Sequence, residues 1–182
     1  MIAGLVGRYR DGTAALDRIL AGWFTGLAAR FVFLAVLLPY YMNSALTKVG
    51  SGVFGVFNPT PGAFAQILPP IAERYVYDTG AIPFFPWHLI VIAGSAAEIV
   101  LPVLIVAGLL TRLSAAGMIA FVLVQTLVDL SFHGAESGAW FDRQSGDLLD
   151  VRLLWLLPLV LLVAHGAGRL SIDALLMRKT AE

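Results

Sequence analysis

Glu98 is the one formal charge between Trp87 and Arg112, near the centre of the run HLIVIAGSAAEIVLPVLIVAGLLTR, residues 88 to 112. An ionisable group so deep in an apolar helix costs several kcal/mol; such groups face a bundle interior or a wet cavity and mark function. Pro102 follows four residues later. A helix proline removes the hydrogen bond to the carbonyl four residues back, which here is Glu98's own. A carboxyl and an unpaired carbonyl therefore share one site, and lipid satisfies neither. A side chain, a water or a ligand has to meet them. The small residues Ala93 to Ala97 just before Glu98 would let a second helix or a flat ligand come close.

Other polar residues fall at matching depths. Glu98 lies eleven residues past Trp87, and Gln125 lies twelve past Leu113 on the following apolar run. At about 1.5 Å of rise per residue these are depths of about 16 and about 18 Å from opposite edges, so the two side chains are expected at one level. Asp129 is four residues beyond Gln125, on the same face and nearer the surface. Tyr40, Tyr41, Asn43 and Ser44 occupy the outer half of the first apolar run. The expected arrangement is one polar seam descending to mid-membrane. Glu98 would donate a hydrogen bond or carry a proton there, and Asp129 would be the second catalytic candidate, as a proton exit. The architectural alternative is that Glu98 pairs with Arg30, or bonds to Gln125, and specifies helix packing alone.

The elements that position these residues are helices in lipid. Of 182 residues, 59% are hydrophobic and 13% charged, and the mean hydropathy is +0.84; an ordinary soluble domain carries roughly 25% charge. Four runs are long enough to cross roughly 30 Å of hydrocarbon: about 28–47, 87–111, 113–132 and 148–164. An all-α polytopic membrane protein follows, a four-transmembrane-helix bundle forming a single membrane domain over 1–182. Leu16, Ile19, Leu20, Trp23, Phe24 and Leu27 recur at helical spacing, describing an interfacial N-terminal helix or a run-in to the first span. That charged start is not expected to be a cleavable signal peptide. The loop 49–86 is expected outside the cytoplasm, with a short interfacial helix from Gly62 to Tyr75 and Tyr75, Tyr77 and Trp87 as headgroup anchors. Lys and Arg divide seven to four in favour of the side holding both termini, which places the termini in the cytoplasm.

Composition also excludes chemistry. Twelve basic and twelve acidic side chains cancel, so nothing points to nucleic acid. With no cysteine, the chain supplies neither thiol relays nor iron–sulfur ligation. A haem pair from His88 and His133, or a copper site adding Met42, can be composed, but no HxxxH or His–Met cluster supports it, and interfacial histidines are usually solvated.

The chain's end reads HGAGRLSIDALL, residues 165 to 176. Gly166 and Gly168 can end the fourth span, and Ser171 can cap a short amphipathic helix with Asp173 in its first turn. This segment resembles the GxGxxSxD ending of the DoxX family of small four-helix membrane proteins. AEIVLPVLIVAGLLTRLSA, residues 97 to 115, is similar to that family's AE…P…GL.TR.A pattern, and Arg30 and Lys48 fit its Arg…Lys bracket, with Asn43–Ser44 where SG or G is more usual. The resemblance implies a multi-pass protein of the bacterial inner membrane, in a family that includes the membrane subunit of thiosulfate:quinone oxidoreductase. A quinone would then sit near Glu98, with Gln125, Tyr40, Tyr41, Asn43 and Arg30 as candidate binding residues, fed by a redox partner protein or peptide. A homo-oligomer is compatible with the family. The alternatives are a non-catalytic scaffold that docks a soluble enzyme on the acidic loop HGAESGAWFDRQSGDLLD, residues 133 to 150, and a small-solute or metal transporter.

Overall fold

A computed structural model describes residues 2–52, 54–138 and 148–179. Among them are four helices long and apolar enough to cross a membrane: α2 (Phe24–Leu46), α5 (Phe84–Ala107), α6 (Thr111–Phe132) and α7 (Leu148–His165). Shorter helices complete the order: α1 (Ile2–Leu20), α3 (Pro61–Ile67), α4 (Pro69–Arg74) and α8 (Ile172–Lys179). No strand occurs among the described residues, apart from an isolated antiparallel bridge between Val49 and Pro59.

The four long helices close into a ring in which α5 packs on α6, α6 on α7, α7 on α2, and the second half of α2 on α5. The shared core holds Phe33, Leu37 and Tyr41 from α2, Ile105 from α5, Met118 and Val122 from α6, and Leu159 and Leu162 from α7. On α2 the buried stripe advances in steps of four: Ala29, Phe33, Leu37, Tyr41, Ala45. Steps of four on a straight α-helix drift by about 40° each. The drift is offset because Phe33–Leu37 forms a wider π-helical turn, with the Leu38 amide donating to the Phe33 carbonyl. Pro39 lies just beyond and lacks the amide an α-turn would need there. That widened turn keeps Tyr41, and after it Lys48, on the inner face.

The N-terminal apolar stripe is divided between two helices. Leu16 and Ile19 lie exposed on α1, whereas Phe24 and Leu27 belong to α2, after a turn at Ala21–Trp23. The expected single helix from Gly62 to Tyr75 is also corrected. Pro69 and Pro70 break it at Leu68, whose φ of −132° and ψ of 62° are not helical. Thr60 caps α3, its hydroxyl accepting from the Ala63 amide at 3.2 Å. Phe64, Ala72, Ile82 and Val91 bury together, so this connection is packed down onto α5.

At the opposite end, where α5 turns into α6, the C-terminal motif closes a clasp. The Arg30 guanidinium donates to the carbonyls of Ile105, Val106, Ala167 and Leu170, binding the last turn of α5 to the segment after α7. Gly108 ends α5 with φ +70°, and a Cβ there would lie 2.6 Å from that of Ser171. Gly168 lets the backbone of Trp23 approach, since a Cβ there would stand 2.7 Å from its carbonyl oxygen. Ser171 accepts from the Ala174 amide at 3.1 Å and so caps α8. The Asp173 carboxylate accepts from the amides of Leu110 at 2.7 Å and Thr111 at 2.9 Å, at the start of α6.

Candidate functional site

Glu98 has a partner, and it is neither Arg30 nor Gln125. The Lys48 ammonium donates to Glu98 Oε1 at 2.9 Å and Oε2 at 2.7 Å, and to Ser44 Oγ at 2.6 Å. Those three acceptors use all three hydrogens of the ammonium. The side chains of Lys48 and Glu98 are 7% and 2% exposed. The lone mid-membrane carboxyl expected from sequence is therefore half of a buried ion pair. Each carboxylate oxygen retains capacity to accept a further hydrogen bond.

The pair lies in the wall of a cavity of about 510 Å³ between α2, α5 and α6, roofed by α3. Tyr40, Ser44 and Lys48 line it from α2 and its extension, at the i, i+4, i+8 spacing of one helix face. Glu98 enters from α5, and Gln125 and Asp129 from α6. The expected levelling of Glu98 with Gln125 thus corresponds to one shared cavity. Ile67, Leu101, Phe121 and Val124 supply apolar wall.

Away from the ion pair, a second polar group faces the same space. Tyr41 Oη donates to Gln125 Oε1 at 3.3 Å, and Gln125 Nε2 donates to Tyr40 Oη at 3.2 Å. Because the Tyr40 oxygen accepts from Gln125, its own proton is free to be donated elsewhere. One cavity therefore presents an acceptor, the Glu98 carboxylate, and a donor, the Tyr40 hydroxyl. Asp129 accepts from Arg152 Nη2 at 2.7 Å, and the Arg152 guanidinium stacks 4.1 Å from the Trp155 ring centre. Arg152 Nε and Nη1 are buried and have no hydrogen-bond partner among the described residues.

Three candidates stand elsewhere. Tyr41 is fully buried in the core and reaches the cavity only through Gln125. Asn43 is exposed, because it sits off the face shared by Tyr40 and Ser44. Arg30 is fourteen residues before Ser44, about 21 Å away along the helix, and is consumed by the clasp. Lys48 was missing from the expected site because it lies past the last residue of α2, where a lysine ordinarily turns outward. Two signals were available: its place in the Arg…Lys bracket, and its spacing of four residues from Ser44 and eight from Tyr40.

The histidines do not converge. His88 Nε2 is 3.2 Å from the Thr79 carbonyl oxygen, and His133 Nε2 is 3.2 Å from that of Gln66. Among the described residues no three His, Asp or Glu side chains gather in a metal-binding group. Half of the acidic loop that would form a docking surface, residues 139–147, lies outside the described residues.

A family model described as the TQO small subunit DoxD matches residues 29–182. It takes in all four long helices from the sixth residue of α2 onward, and includes every residue lining the cavity. The sequence resemblance to DoxX thus resolves into a related family. No curated protein and no solved structure matches the chain.

Proposed function

The chain belongs to the DoxD family, and from that membership we propose that it is the membrane subunit of a quinone-linked oxidoreductase of the thiosulfate:quinone type, taking electrons from a partner protein or peptide. It would reside in the bacterial inner membrane with both termini in the cytoplasm. The observation carrying this reading is the cavity of about 510 Å³ that faces an acceptor, Glu98, and a donor, Tyr40. Its volume falls within the roughly 300–1,000 Å³ of small-molecule sites, which pair apolar walls with a few convergent polar groups. A quinone head in its reduced form, flat and apolar with a hydroxyl at each end, would fit that set, one oxygen accepting from Tyr40 and the other hydroxyl donating to Glu98.

When bound, the quinone supplies the capacity to take up two electrons and two protons. The rest belongs to the protein. Tyr40 Oη, held in place by Gln125, would donate to one ring oxygen. The Glu98 carboxylate would accept from the hydroxyl at the other end, with the Lys48 ammonium, 2.7 Å from Oε2, as the proton reservoir beside it. Asp129, at the end of the cavity nearest His133, exchanges protons with the surface, with Arg152 fixing its carboxylate.

Binding of a benzoquinone to the purified protein tests this. The Lys48→Met/Glu98→Leu double variant removes the acceptor without stranding a charge, Tyr40→Phe removes the donor, and a bond involving a charged group is worth about 1.5–3 kcal/mol. Affinity for the reduced form should fall by about 10- to 100-fold in the double variant and less in Tyr40→Phe. A wild-type protein that carries no extractable quinone and has no measurable affinity for one would overturn the assignment.

A further inference from the structure

We infer that the ligand enters this cavity sideways from the bilayer, through a mouth between α5 and α6, so that the site takes an alkyl-tailed, lipid-borne quinone and holds its tail in that seam. The inference rests on reading the cavity as a quinone site and adds to it the route and the tail.

The route toward the nearer membrane surface is obstructed by α3. His133 Nε2, at the end of α6, donates to the Gln66 carbonyl at 3.2 Å. Ile67 covers Gly94 on α5, with its Cδ1 3.3 Å from where a Cβ would stand. Gln66, Ile67 and His133 all belong to the cavity wall, so helix, side chain and hydrogen bond together form a roof. At the other end Leu101 closes onto Gly117, its Cδ2 3.3 Å from that glycine's Cβ position.

Between roof and floor the wall is thin. α6 contributes Gly117 and Ala120, and α5 contributes Gly94 and Ala97. With such small side chains facing each other the helices do not seal the space between them. Ala120 is exposed, and Val124 and Ile90 on either side are 61% and 42% exposed. These residues lie within membrane-crossing helices, so what they are exposed to is hydrocarbon. The mouth is apolar, and the polar groups stand behind it. A water-soluble ligand would have to cross lipid to reach such a mouth, whereas a lipid-dissolved one arrives there by lateral diffusion. A ligand whose head reaches Glu98 and Tyr40 must leave any tail lying between Ala120, Val124 and Ile90.

The test compares two probes on the protein in mild detergent: a tail-less benzoquinone and its decyl-tailed homologue, with binding read by equilibrium titration. In Ala120→Leu a larger side chain occupies the mouth on the lipid-facing surface, where folding is least affected. Affinity for the decyl quinone should fall at least about tenfold, the worth of about two buried methylenes, while the tail-less probe binds as before. Leu101→Ala opens the floor and should leave decyl-quinone binding equal or tighter. Equal effects of Ala120→Leu on both probes, or none on either, overturn lateral entry while leaving the quinone site standing. So does a loss of decyl-quinone binding that appears on changing Gln66 or His133 and is absent on changing Ala120. If neither probe binds the wild-type protein, the quinone reading itself has failed, and the entry route with it.

Discussion

Lys48 and Glu98 are buried together, and the energetics of such a pair are asymmetric. Desolvating two charges is costly enough that the pair adds little net stability, yet removing one partner strands the other and costs about 3–5 kcal/mol. Lys48→Met and Glu98→Leu should each lower the stability of the detergent-solubilised protein by that order. The double variant should recover most of the loss, because an apolar pair of similar volume leaves no stranded charge. Denaturant titration of the three variants measures this, and a double variant as unstable as the sum of the singles would contradict the pairing. At this scale the sequence announced Glu98 clearly, as a lone charge in an apolar run. Lys48 was obscured, since its role depends on a side chain turning back from beyond the end of α2 to a level four residues before Pro102.

The C-terminal helix shows how a short element can be held by charge. Burial alone would raise the Asp173 carboxyl, but the amides of Thr111 and Leu110, with the Arg30 guanidinium, hold it below its ordinary value of 3.8. A carboxylate depressed in the folded state contributes stability that is present above its unfolded value and is lost as pH falls through the folded one. Asp173→Asn should therefore be less stable than the wild type at pH 6, and the gap should close as pH drops below 3.8. Melting temperatures measured from pH 6 down to acid give the curve; a gap that stays constant would mean that the amide contacts act without the charge. The motif glycines, Ser171 and Asp173 were legible as a helix stop and a helix cap. That Asp173 caps a different helix, α6, was not, because the contact spans 62 residues of chain. The break between α3 and α4 was written in Pro69–Pro70 and overridden in reading by the apolar periodicity around it.

Across the whole molecule, large apolar side chains remain exposed on every long helix: Phe31 and Val36 on α2, Val100 and Val103 on α5, Leu123 and Leu127 on α6, Leu154 and Leu157 on α7. No soluble fold leaves such a continuous apolar surface in water. The protein should stay with the membrane fraction through alkaline carbonate washing and be released by detergent; release by carbonate alone would contradict a four-helix span. This level was determined by sequence alone, because burying apolar surface in lipid depends on composition and run length, and the rule that every backbone group be paired within lipid admits helices. Periodicity likewise determined that Glu98, Gln125 and Asp129 lie inside at related depths. Which side chains meet was left to the tertiary structure. Around one helix axis a residue has several possible neighbours, and the choice among Arg30, Gln125 and Lys48 for Glu98 rested on how α2 is rotated and where it ends. The π-helical turn at Phe33–Leu37 and the clasp that engages Arg30 make that choice; the clasp joins segments far apart in the chain, which local spacing does not encode.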